Sequence, residues 1–151
     1  MVVVVSGPSR PRAAVAVCAD VDTVLATIRT LESAGDYTIT ASGASASGAY
    51  QIIDATWASW SARAGVGTKY HHAADAPAVV QDAVAADHVD DLLQRYNDVS
   101  VIPVAWYYPA AIGDDALMDA VPAQDAGNTL TPRQYQARWM QTYRSLGGSC
   151  G

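Results

Sequence analysis

The chain has 151 residues, half of them hydrophobic and 16% charged, a balance that supports one globular domain with a buried core and excludes an extensively disordered one. A formal charge of −6 and a pI near 4.7 exclude a surface built to neutralise phosphates, so nucleic acid is not an expected partner. Fourteen of the fifteen acidic residues are Asp and eight of the nine basic residues are Arg, leaving Glu32 and Lys69 as the only residues of their types.

Residues 1–17 open on four valines after Met1 and are broken at once by Ser6, Gly7 and Pro8. That run is far short of the roughly 20 apolar residues of a membrane span and of the roughly 7–15 of a secretory signal core. The segment reads as a linker or the trimmed end of a longer precursor, with one domain over residues 18–151. Asp20 caps a helix whose Val21, Val24, Leu25, Ile28 and Leu31 form one apolar stripe, ending near Gly35. A short β-prone run follows at residues 37–40, then small residues to Gly48, so the middle of the chain reads as a loop or short hairpin. Asp54 is placed to cap a helix carrying Trp57 and Trp60. A long helix runs from Asp75, with Pro77 in its first turn, to about Tyr96. Another starts at Asp98 and reaches Tyr108 with Pro103 in its early turns, and a short one spans residues 114–121. Thr131, Pro132 and Gln134 have the spacing of a capping box, which starts a terminal helix to about Leu146. The expected class is mainly α (α+β), with a short β-hairpin or loop excursion.

Glycosidic cleavage needs an acid to protonate the departing oxygen, and a carboxyl serves where an apolar setting raises its pKa toward the working pH. Glu32 ends an amphipathic helix and precedes a turn at Gly35, a position that can form one wall of a cleft. Cys18 and Cys150 lie near the two ends of the domain, where a disulfide would join the termini in an oxidising compartment; two unpaired thiols are the alternative. His71, His72 and His88 suggest no metal site, because adjacent histidines generally point apart and no Cys or Glu stands at ligand spacing. All three read as surface residues, and no cofactor is expected. Trp106, Tyr107 and Tyr108 form an aromatic cluster that serves as a sugar platform or as core. Trp139 and Tyr143, four apart with Tyr135 behind them, read as helix-packing residues, and Arg133 and Arg138 as solvated or ion-paired.

The ordered runs Leu31-Glu32-Ser33-Ala34-Gly35, Gly48-Ala49-Tyr50-Gln51-Ile52 and Thr56-Trp57 resemble the lysozyme-like superfamily of lytic transglycosylases and resuscitation-promoting factors, whose members show Glu-Ser-Gly-Gly, Gly-x-x-Gln-(Phe or Ile) and Thr-Trp. The resemblance implies a lysozyme-like helical fold, with Glu32 as catalytic acid and Ser33 beside it. Gly48, Tyr50 and Gln51 would belong to the loop lining the sugar cleft. Residues 103–108 are similar to the family's Ala-Ala-Tyr-Asn segment, which adds Trp106 and Tyr107 to the substrate-binding set; Tyr108 stands where Asn is usual, and Ala34 where Gly is. The implied activity is cleavage between N-acetylmuramic acid and N-acetylglucosamine in peptidoglycan by a secreted or wall-associated monomer. A single Glu suffices for transglycosylation to a 1,6-anhydro product. Hydrolysis by a muramidase needs a second carboxylate, for which Asp36 and Asp54 are the candidates. A non-catalytic glycan-binding module is the third reading. The acidic balance suits remodelling of the producer's own wall better than attack on a negative envelope.

Overall fold

A computed structural model describes residues 19–150. The expected linker at residues 1–17 and Cys18, one half of the expected bridge, lie outside the described residues; Cys150 is buried. The fold is mainly helical, and no helix of the described residues is long and apolar enough to cross a membrane.

Helix α1 (Val21–Ser33) starts as expected: the Asp20 carboxylate accepts from the Thr23 backbone N–H and from its hydroxyl, at 3.2 and 2.8 Å. Val24, Leu25 and Ile28 bury one stripe, and the helix ends at Ala34 in the left-handed region (φ 54°). Alanine takes that conformation at a cost of roughly 1–2 kcal/mol that glycine does not carry. Residues 36–53 form the excursion. It holds isolated antiparallel bridges, Thr40 to Ser47 and Ser47 to Ile52, rather than extended strands.

Helix α2 (Asp54–Ala64) corrects the expected cap. Ile53 holds the cap position and Asp54 is the first helical residue, so its carboxylate is free to pair elsewhere. Trp57 of α2 is fully buried and its indole N–H donates to the Tyr70 carbonyl at 2.9 Å, fastening the segment after α2. A 3-10 turn (Ala73–Asp75) leads into α3 (Ala78–Tyr96), which starts just after Pro77, three residues later than expected, and buries Gln81, Val84, Ala85, Val89, Leu92 and Leu93.

Helix α4 (Val101–Tyr107) begins after Asp98, whose carboxylate instead accepts from the N–H and hydroxyl of Ser100. Pro103 is its third residue, where the missing N–H has no intrahelical partner to lose. Helix α5 (Asp115–Met118) is capped by Asp114 and stops short of Val121. Helix α6 (Pro132–Ser145) has both hydrogen bonds of the capping box between Thr131 and Gln134.

Helix α6 packs on α4 and α1, while α1 and α2 pack on α3. Trp139 and Tyr143 of α6 are core, as their spacing indicates, with rings stacked at 5.3 Å. This places the ends of α1 and α4 and the first turns of α6 around a common hollow.

Candidate active site

Glu32 occupies the penultimate position of α1, half-buried. Its Oε1 accepts a hydrogen bond from the Tyr135 hydroxyl on α6. Tyr107, the last residue of α4, stacks on Tyr135 with ring centroids 4.4 Å apart and planes 7° from parallel, and its hydroxyl donates to the Leu130 carbonyl at 2.8 Å. Three helices and the loop before α6 thus hold one carboxylate in one orientation.

Two adjoining hollows share Glu32. The larger, about 500 Å³, runs between the excursion and α4 and is lined by Gln51, Thr56, Trp60, Trp106 and Tyr107 among others. The smaller, about 190 Å³, lies toward α6 and is lined by Asn128, Leu130, Tyr135 and Arg138. Among the described residues lining either hollow, Glu32 is the one carboxylate. Burial pushes its pKa above the ordinary glutamate value, while the Tyr135 hydrogen bond works in the opposite direction by favouring the ionised form. Burial, reinforced by the Glu32 charge, raises the Tyr135 phenol, which therefore stays a donor.

The structure brings together only part of the expected substrate-binding set. Gln51, Trp106 and Tyr107 line the larger hollow. Gln51 adopts a left-handed conformation (φ 49°) and donates its amide N–H to the Gly48 carbonyl at 3.0 Å. The Trp106 ring meets Trp60 at 5.1 Å, and its N–H donates to the Tyr50 carbonyl at 3.2 Å. Ser33, Gly48 and Tyr50 are buried and support the site from behind. The Ser33 hydroxyl donates to the Ala49 carbonyl at 2.8 Å, tying the end of α1 to the excursion. Gly48 (φ +75°) has the Gln81 side chain in the space a Cβ would need. The Tyr50 hydroxyl donates to Asp82 at 2.5 Å and accepts from Arg29 at 2.6 Å, and Tyr37 donates to the same carboxylate at 2.7 Å.

Neither candidate second carboxylate lines the cleft. Asp36 is exposed and accepts from the Thr38 N–H and hydroxyl, both at 2.8 Å, which holds its pKa below the ordinary value. Asp54 faces the histidine pair: Nδ1 of His72 is 2.9 Å from Oδ1, and Nδ1 of His71 is 3.9 Å from Oδ2. The adjacent histidines therefore turn toward one group instead of parting. His88 is corrected as well. It is half-buried, not on the open surface, with its ring stacked 3.7 Å from Trp60 behind the cleft. Burial, with the Arg63 guanidinium alongside, pushes it down to about 4, so it stays neutral through the physiological range. Tyr108 packs beside Val104, Ala111 and Met118, away from the cleft, so the departure from Asn adds no side chain to the cleft wall.

Compared with protein-family models, curated proteins and solved structures, the chain matches none. The site must be read from its own geometry. Sequence reasoning missed Tyr135 as a partner of Glu32, because the two are 103 residues apart and Tyr135 sits in an apolar helical stripe. It also passed over Trp60, Thr56 and Asn128 as cleft residues. Trp60 carried the clearest signal, three positions after Trp57 and so nearly one helical turn on.

Proposed function

We propose that the protein cleaves the glycosidic bond between N-acetylmuramic acid and N-acetylglucosamine in peptidoglycan, acting as a lytic transglycosylase with Glu32 as its single acid and base. The observation that carries this reading is a half-buried glutamate of raised pKa that is the one carboxylate among the described residues of the cleft. Protonated, Glu32 gives its proton to the bridging oxygen as the C1–O bond breaks. As a carboxylate it then takes the proton of the muramic C6 hydroxyl while that oxygen bonds to C1, which closes the 1,6-anhydro ring and restores the acid. The Tyr135 hydroxyl holds the carboxylate between these roles. Trp60, Trp106 and Tyr107 offer flat apolar walls to sugar rings, and the Gln51 side chain offers a polar one.

The deciding experiment is mass spectrometry of the products released from purified peptidoglycan. The expected products carry anhydro ends, one water lighter than reducing ends. Reducing ends would replace this reading with a muramidase, and retention of uncut strands with a binding module. The position of Asp36 and Asp54 outside the cleft disfavours the muramidase, which needs a second carboxylate close to the first.

Tyr135→Phe tests the positioning role. Losing one hydrogen bond of about 1.4 kcal/mol in the transition state lowers kcat on the order of tenfold. Losing a donor that favours the carboxylate also raises the Glu32 pKa further, so the alkaline limb of the kcat/KM profile moves to higher pH. An unshifted limb would show that Tyr135 only fills space.

A further inference from the structure

Asp54, His71 and His72 take no part in the chemistry proposed for the cleft. His72 is 18 residues from Asp54 in sequence, yet the fold brings both histidines onto that one carboxylate. One ligand atom from each residue can be chosen so that all three lie within 4.8 Å of one another. A four-coordinate ion at about 2.0–2.2 Å from nitrogen and oxygen ligands holds those ligands roughly 3.3–3.5 Å apart. Nδ1 of His72 lies 2.9 Å from Oδ1 and Nδ1 of His71 lies 3.9 Å from Oδ2, so each carboxylate oxygen already faces one imidazole at a separation near that spacing.

The backbone beneath these side chains is already fixed. Asp54 opens α2, and Tyr70 is anchored by the Trp57 indole. The Ala74 N–H donates to the Ser47 hydroxyl at 3.1 Å, and the Asp75 N–H to the His72 carbonyl at 3.1 Å. An ion arriving here pays no cost for ordering a loop. An exposed Asp–His pair contributes at most about 1 kcal/mol, and that pair accounts for His72 alone. His71, with 81% of its side chain exposed and its ring tilted 4.7 Å from that of His72, faces the same carboxylate. Its exposure also leaves an entry path and room for water as a fourth ligand.

We propose that Asp54, His71 and His72 form a surface binding site for one divalent transition-metal ion of the zinc type. Two imidazole nitrogens with one carboxylate oxygen suit such an ion, whereas calcium and magnesium take oxygen ligands. Bound there, the ion clips the 70–75 segment to the start of α2. Ile53 and Thr56, on either side of Asp54, line the larger hollow, so the clip braces the cleft wall without touching the reacting atoms.

The test is titration of the untagged full chain with zinc chloride, followed by calorimetry and thermal melting. The expected result is one ion per chain, with Tm rising by about 5–10 °C at a hundredfold excess over Kd. His71→Ala leaves the metal-free Tm unchanged, because its side chain is mostly exposed. It weakens zinc binding at least as much as the roughly 10–100-fold cost of losing an outer-shell partner. His72→Ala does the same to zinc affinity, and magnesium gives no shift in any variant. Absence of zinc heat and of a Tm shift in the parent would overturn the proposal, as would an equal response in His71→Ala.

Discussion

Glu32→Gln is expected to abolish peptidoglycan cleavage while leaving the protein folded. Removing a positioned general acid forfeits about 10²–10⁴ of rate, and in the proposed mechanism the same residue also supplies the base. No other glutamate exists in the chain to replace it, and among the described residues no aspartate lines either hollow. Turbidity loss of a wall suspension measures the effect, and wild-type activity in the variant would sink the mechanism. The stability change has a definite sign. A carboxyl whose pKa is raised by folding binds its proton more tightly in the native state, so its charge costs stability at pH above the raised value. That cost disappears below the ordinary value of 4.5. Gln carries no charge and can still accept from Tyr135. The variant therefore melts at or above the wild-type temperature at pH 7, and the difference closes as the pH falls below 4.5.

Gly48→Ala is expected to damage the site from behind. The position has φ +75°, and the new Cβ would run into the Gln81 amide while standing 3.4 Å from the Ala73 carbonyl carbon. Gln81 is 1% exposed and cannot simply swing away. Its Oε1 accepts from the Ala49 N–H at 3.0 Å, and its Nε2 donates to the carbonyls of Tyr37 and Ala76 at 3.0 and 2.8 Å. Left-handed strain of roughly 1–2 kcal/mol and one or two disrupted buried hydrogen bonds of about 1 kcal/mol each sum to roughly 2–4 kcal/mol. For a chain of this length that lowers Tm by roughly 5–15 °C. Thermal denaturation followed by circular dichroism checks it, and an unchanged Tm would show that Gln81 and the loop re-pack freely.

The parts of the fold written in local chemistry were readable from the sequence. The Asp20 cap and the Thr131–Gln134 capping box involve residues three apart, and both form as expected. Asp54 failed as a cap because the preceding backbone turns at Ile53, which no side-chain preference announces. Within the candidate site, the position of Glu32 followed from the helical stripe of α1. The motif positions Ser33, Gly48 and Tyr50 were legible as a group, but their physical duties were not. Each is spent on holding the excursion against α1 and α3, and those partners lie 16 to 33 residues away in sequence. Tyr135 and the meeting of Asp54 with two histidines likewise depend on long-range packing.

The buried Gln81 side chain has a consequence for how the cleft comes to exist. It joins α3 to the excursion through residues 32 and 44 positions away, and nothing within the excursion replaces those bonds. The wall that carries Gln51 thus combines short-range bridges of its own with a buried fastening to α3, and loosening α3 is expected to loosen the cleft wall with it.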